Sequence, residues 1–265
     1  MSIHPTAVVS KGAQLGADVT VGPFAIIEEN VVISDRFIIE ASAQIRKGSN
    51  LGENCFVGSG AIIGSDPQFR DFDPRIPSGV EIASGNIFRE YVTVHRSVFE
   101  NGVTCVGRDN YLMVGSHIGH DSTVGHSNTL ANDVLLGGHV DFGNHCFVGG
   151  GSAFHQFVRV GDFVMCQGHS GFSQDLPPFV IGADINTVVG INVVGLKRAN
   201  FSVDERKAIK EAFREIYHSS KPLEQVLDEA SAREITPAVE DFFAFFRKKS
   251  KKGLCIRSSR RPGNS

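Results

Sequence analysis

A six-residue period constrains this chain more than any other feature. Stepping by six from Ile3 meets Val9, Leu15, Val21, Ile27, Ile33, Ile39, Ile45, Leu51, Val57 and Ile63, all of them aliphatic. A second run begins at Val106 and passes through Leu112, Ile118, Val124, Leu130, Leu136, Phe142, Val148, Phe154, Val160 and Cys166. Ile82, Phe88 and Val94 lie in the frame of that second run. A period of six is neither the 3.6 of an α-helix nor the alternation of an ordinary strand. It fits an all-β solenoid, a parallel β-helix of hexapeptides in which three short strands close a coil of roughly 18 residues. The aliphatic points into the coil, and coils stack at about 4.8 Å.

Two further positions follow the same period. The residue after the aliphatic is often glycine, as at Gly16, Gly22, Gly52, Gly58, Gly107, Gly119, Gly137 and Gly149, which accounts for much of the 29 glycines in 265 residues. We expect these glycines to turn the corners, because glycine alone adopts positive φ without a Cβ clash. Four after the aliphatic the residue is mostly small (Ala25, Ala43, Cys55, Ala61, Ser116, Ser122, Cys146) and fills the narrow interior.

The period covers residues 1–190 with two breaks. Residues 65–79 lose the aliphatic step and shift the frame by one, and residues 96–105 skip hexads but keep the frame. Both are expected to leave the coil as loops, and insertions in a solenoid tend to gather on its binding face. Residues 191–201 read as a connector. Residues 202–250 read as a small α-helical domain. Phe201 and Ser202-Val203-Asp204-Glu205 give a staple and a capping box, and Ile209, Phe213, Ile216 and Tyr217 form one apolar face. A weaker helix spans 223–230, and Thr236-Pro237 caps a third helix carrying Phe242, Phe243, Phe245 and Phe246. Such a domain covers the end of the solenoid, whose last coil otherwise exposes unpaired edge groups. Residues 251–265 read as a basic tail (Lys251, Lys252, Arg257, Arg260, Arg261), either a disordered terminus or a docking patch for an acidic partner.

Charge and cysteine usage narrow the setting. With 26 basic and 29 acidic residues the net charge is −3, which gives no reason to expect a nucleic-acid partner. No apolar run is long enough for a membrane span, and Met1-Ser2-Ile3-His4-Pro5 has neither the basic nor the apolar region of a secretory signal. Five widely spaced cysteines without a C-x-x-C pair suit reduced thiols in a cytoplasm.

Histidines cluster at 117, 120, 126, 139, 145, 155 and 169. One coil along the solenoid, His120 maps onto Gly138, and two coils along onto Gln156, so the three form a column about 10 Å long. His120 is suited to general-base work. Asp121 is adjacent, although contact between sequence neighbours requires a corner. Gly138, lacking a Cβ, leaves its N–H open to an oxyanion. Surface histidines without function are the plain alternative. Zinc held by His117, His120 and His139 is the chemical rival, as in γ-class carbonic anhydrases, which however lack a helical domain of this kind. The expectation is no metal and no cofactor. Cys55 and Cys146 occupy interior positions and make poor nucleophiles.

The stretch Gly115-Ser116-His117-Ile118-Gly119-His120-Asp121-Ser122-Thr123-Val124-Gly125 resembles the catalytic coil of the UDP-N-acetylglucosamine O-acyltransferases that begin lipid A synthesis, a hexapeptide-repeat family. The resemblance extends through Val92-Thr93-Val94-His95-Arg96, Gly137-Gly138-His139-Val140, Phe154-His155-Gln156-Phe157, Gln174-Asp175-Leu176-Pro177-Pro178 and Gly195-Leu196-Lys197-Arg198, and covers about residues 3–250. It implies a left-handed β-helix, a cytoplasmic homotrimer with sites between subunits, and transfer of an (R)-3-hydroxyacyl group from acyl carrier protein to the 3-position of the glucosamine. By matching motif, His120 is the base, Asp121 supports the imidazolium, and Gly138 N–H holds the oxyanion. His117, His139, His155 and Gln156 position the substrates. Asn192 and Arg198 match nucleotide contacts, and Gly168 lies where the family measures acyl length.

Two departures fall on acceptor recognition. The family's Pro-Gln-Asp-Leu-Lys is here Pro67-Gln68-Phe69-Arg70-Asp71, so Gln68 is kept while the Arg70–Asp71 charge pair is reversed and shifted. A second arginine common after Arg198 is here Ala199. An acyltransferase acting on another nucleotide sugar, such as a 3-amino analogue, therefore stays open.

Overall fold

The computed structural model describes residues 1–257, and the last part of the basic tail, 258–265, lies outside them. The hexads become two- to four-residue strands that stack in parallel into three sheets, which among the described residues number twelve, nine and eight strands with the terminal hairpin included, beginning at Ser2–Ile3, Val8–Val9 and Gln14–Leu15. Strand partners are 18 residues apart, as in Ser2 with Thr20. The separation widens to 31 across the first break (Phe56 with Ile87) and to 24 across the second (Thr93 with His117). The first excursion therefore adds two hexads plus one residue, which is why the frame shifts. The second adds one whole hexad, which is why it does not. Chain leaves the sheets between Ser65 and Gly79, and between His95 and Val103, so the second loop ends three residues earlier than the sequence implied.

Ile27, Ile33, Ile45, Leu51, Leu112, Ile118 and Leu136 are fully buried along the axis, and Ala25, Ala43, Ser116 and Ser122 fill the space beside them. Each buried aliphatic contributes on the order of 1.5–3 kcal/mol. A ladder of buried asparagines shares the small-residue position. Asn110 donates to Asn86 Oδ1 and accepts at its own Oδ1 from Asn128, whose Oδ1 accepts from the Cys146 N–H.

The glycines have a different role from the expected one. Positive φ falls three residues after the aliphatic, on Asp18, Asn30, Asn54, Asp121 and His139, not on the glycine directly after it, save at Gly64. What those glycines permit is close approach between coils. A Cβ on Gly119 would lie 2.6 Å from the carbonyl carbon of Gly137, and one on Gly137 would lie 2.8 Å from Gln156 N.

The solenoid ends in an antiparallel hairpin, Val180–Ala183 with Thr187–Ile191. The connector contains a short helix α1 (Val193–Arg198), capped by the Asn192 side chain. Helices α2 (Val203–Tyr217), α3 (Leu223–Ser231) and α4 (Pro237–Arg247) follow, with the Ser202–Glu205 capping box and the Thr236 cap in place. Arg159 ties solenoid to helices. Its Nε pairs with buried Asp175 at 2.8 Å, its guanidinium lies 4.5 Å from the centre of the Phe245 ring, and it donates to Lys248 O. The first half of the basic tail is not a free end. Asp175 N–H donates to Gly253 O, Cys255 N–H to Asp175 O, and Ile256–Arg257 adds a parallel strand beside Thr187–Val188. Edge amides of the last hairpin are paired in this way. Among the described residues no helix is long and apolar enough to cross a membrane.

Candidate active site

The column read from the period forms at the corner between the second and third sheets. The His120 ring lies over Gly138, where an added Cβ would sit 2.7 Å from both Cε1 and Nε2. Asp121 occupies the corner with φ 59°, and this turn brings its carboxylate back beside its neighbour, so that His120 Nδ1 lies 2.7 Å from Asp121 Oδ2. Paired this way, Nδ1 carries the proton toward the carboxylate and Nε2 is left as an acceptor facing Gly138. The Gly138 N–H meets no acceptor among the described residues, whereas the Gly137 N–H is consumed by Phe154 O. A proton acceptor thus stands beside an uncommitted amide donor.

Around this dyad lies a cleft of about 510 Å³ whose walls include Gln68, Phe69, His95, His117, His120, Gly138, His155 and Gln156. His139 stands edge-on to His120 at 5.0 Å between ring centres and is stacked on Phe157 at 4.5 Å. His117 Nδ1 is 2.8 Å from Thr93 Oγ1, and its ring meets the His95 ring edge-on. Burial is the main cause that lowers the pKa of all three of these neighbours: His117, His139, and His95, which falls to about 4. They are therefore neutral at neutral pH, and they furnish hydrogen bonds and ring surface.

His120, Asp121 and His139 bring three potential ligand atoms within 4.8 Å of one another. The set differs from the all-histidine trio read from the sequence, because His117 is turned to Thr93. Asp121 Oδ2 is 2.7 Å from His120 Nδ1 and 4.0 Å from His139 Nε2.

The remaining predicted residues are dispersed. Arg70 and Asp71 are exposed on the first excursion and do not line the cleft. Gly168 sits at the corner between the first and second sheets, where a Cβ would meet Gly150 O at 3.2 Å. Asn192 is spent on the cap of α1 and on Phe163 O at the third corner, and Arg198 is exposed at the end of α1. His126 belongs to the scaffold, its Nδ1 accepting from Arg108 N–H. Sequence reasoning missed His95, Thr93 and Ser97 as site neighbours. Adding 18 fails across the second excursion, where the step is 24, and only the quoted resemblance around Val92–Arg96 carried a signal for His95.

Larger grooves lie elsewhere. One of about 830 Å³ runs below the first excursion, but its Glu28 and Arg46 are already paired, and the Arg96 side chain is fully committed to Asp66, Ile76 O, Pro74 O and Ser78.

Comparison with known proteins gives the family and the fold. Residues 175–255 match the family model described as Udp N-acetylglucosamine O-acyltransferase, domain 2. An acyl-[acyl-carrier-protein]–UDP-N-acetylglucosamine O-acyltransferase of Paraburkholderia xenovorans is 41% identical over 241 residues, covering 90% of this chain and 91% of that one. The same enzyme of Paraburkholderia phymatum is 39% identical over the same span. Solved UDP-N-acetylglucosamine acyltransferases superpose over nearly the whole chain. That of Bacteroides fragilis has a TM-score of 0.89 at 34% identity, over 95% of this chain and 99% of its own. That of Campylobacter jejuni has a TM-score of 0.90 at 32% identity, over 96% and 99%. The coil is the left-handed parallel β-helix of these structures, followed by C-terminal helices.

Proposed function

Since the chain belongs to the acyl-[acyl-carrier-protein]–UDP-N-acetylglucosamine O-acyltransferase family, we propose that it moves an (R)-3-hydroxyacyl group from acyl carrier protein to the glucosamine 3-hydroxyl of UDP-N-acetylglucosamine, with His120 as general base. The observation that carries the mechanism is the conjunction of His120 Nε2 with the uncommitted Gly138 N–H.

In this reading His120 Nε2 takes the proton of the sugar hydroxyl as its oxygen attacks the thioester carbon. Asp121, 2.7 Å from Nδ1, stabilises the imidazolium that forms. The Gly138 N–H holds the oxyanion of the tetrahedral intermediate, as a fixed dipole in a partly dry cleft does best. Collapse expels the carrier thiolate, and His120 returns the proton to its sulfur. His117, His139, His155, Gln156 and Gln68 position the two substrates. A homotrimer in the cytoplasm is part of the proposal. Gly168 and Asn192 lie at the other two corners of one chain and Arg198 at the end of α1, and neighbouring copies are the means by which these residues would meet the His120 cleft. The five free cysteines suit a reducing compartment.

The test is mass spectrometry of products from a panel of hydroxyacyl carrier-protein donors with UDP-N-acetylglucosamine and its 3-amino analogue. An O-linked ester formed at the natural sugar is expected. Exclusive amide formation on the analogue, the outcome that the Arg70–Asp71 departure leaves open, overturns the acceptor assignment. His120→Ala is expected to keep the fold and lose at least about 10²-fold in kcat.

A further inference from the structure

Asp121 is held by more than its histidine. Its Oδ1 accepts from the Ser97 hydroxyl, its Oδ2 accepts from Val98 N–H at 3.2 Å, and its own N–H donates to Thr104 Oγ1 at 2.7 Å. Ser97 is fully buried at the start of the second excursion. Its hydroxyl also accepts from Phe99 N–H at 3.0 Å, so its one proton is left for the carboxylate. The serine is held in turn, because its carbonyl accepts from Ser78 Oγ in the first excursion at 2.6 Å. Phe99, two residues on, leans against the His139 ring at 6.0 Å. Both loops that leave the solenoid thus converge behind the dyad.

From this arrangement we infer that Ser97 is a positioning residue for acyl transfer. It fixes the Asp121 carboxylate so that Oδ2 faces His120 Nδ1, and so sets the imidazole plane over Gly138. The inference rests on the His120–Asp121 reading of the proposed function. A carboxylate with one oxygen on a histidine and the other unheld rotates about χ2. Hydrogen bonds to the second oxygen and to the backbone remove that freedom, and a bond from a hydroxyl to a charged group is among the stronger ones. The second excursion is thereby part of the catalytic apparatus and not a tolerated surface insertion.

The experiment compares Ser97→Ala, Ser97→Thr, Asp121→Asn and the Ser97→Ala/Asp121→Asn double variant in full-length protein, by steady-state kinetics and thermal unfolding. Ser97→Ala is expected to lower kcat by roughly ten- to a hundredfold with KM for both substrates little changed, the scale of one charge-assisted hydrogen bond. Ser97→Thr, which keeps the hydroxyl, is expected to recover most of that loss. In the double variant Ser97→Ala is expected to add nothing to Asp121→Asn, because it acts only through that carboxylate. An Asp121→Asn enzyme of normal kcat defeats the dyad reading itself. A damaged Asp121→Asn enzyme beside an unaffected Ser97→Ala enzyme defeats only the role of Ser97. Multiplicative losses in the double variant, or a kcat that falls only in step with the folded fraction, likewise refute it.

Discussion

Gly138→Ala separates the chemistry of the site from the stability of the coil. Gly138 does not lie in the left-handed region, so alanine brings no backbone strain there. Its Cβ would stand 2.7 Å from His120 Cε1 and Nε2, where ordinary contact begins near 3.4 Å. The ring must therefore retreat by about 0.7 Å, and it is tethered at 2.7 Å to Asp121, which Ser97 and Val98 hold in place. A base misplaced by about that distance costs on the order of 10² in rate. We expect kcat to fall by about 10²-fold, with the unfolding midpoint within a few degrees of wild type. Gly137→Ala is the counterpart. Its Cβ would meet the backbone of the next coil, Gln156 N at 2.8 Å and Phe154 O at 3.0 Å, neither of which can swing away. That variant is expected to lose about 1–3 kcal/mol of stability as an overpacked site does. Steady-state kinetics with acyl carrier-protein donor, set beside denaturant unfolding of both variants, makes the comparison. A Gly138→Ala enzyme with kcat within about threefold of wild type would refute the placement of the base over this glycine.

Acid titration probes the buried histidine behind the cleft. Desolvation first, and then His117 and His120, lower the pKa of His95 to about 4, so between pH 4 and its ordinary 6.5 the unfolded chain binds more protons than the folded one. Stability should therefore be lost as the pH is lowered from 6.5 towards 4, by about 3 kcal/mol in all. His95→Gln should flatten the profile in urea melts, and an unchanged slope in that variant contradicts the assignment. Asn110→Ala removes an interior rung and strands the Asn128 N–H and the Gly125 carbonyl, while the Gly107 carbonyl keeps its bond from Asn86. A loss of about 3 kcal/mol is expected in equilibrium unfolding, and a change below about 0.5 kcal/mol would show that the ladder is not under load.

Much of the solenoid was legible because each hexad repeats one local solution. Where Ile118 points inward, so do Leu136 and Phe154, and one step of eighteen residues carries His120 to Gly138. Frame arithmetic showed that the first break shifts the register by one and the second by none; how many whole hexads each adds came from the strand pairing. The glycines were placed correctly but explained wrongly. Period shows that a small residue is required after the aliphatic, and it does not distinguish a φ requirement from lack of room above the next coil. Tail residues 251–257 were misjudged because their charge speaks for solvent. Their anchoring is by backbone amides, which leave no mark on side-chain composition.

The coil, its interior and the column of His120, Gly138 and Gln156 were legible because periodic structure converts residue number into position, and the helical cap was legible from its capping residues and apolar faces. Tertiary structure alone decided what stands behind that column. Ser97, Val98 and Phe99 reach the site from a stretch that has no period, and His95 from the last hexad before it, across which the step of eighteen fails, so no simple count along the chain foretells their contacts. The connector is a like case: Asn192 and Arg198 follow the last hexad, so only the packing of α1 places them, whereas Gly168, two coils and two hexads beyond His120, is put on another corner by the count itself.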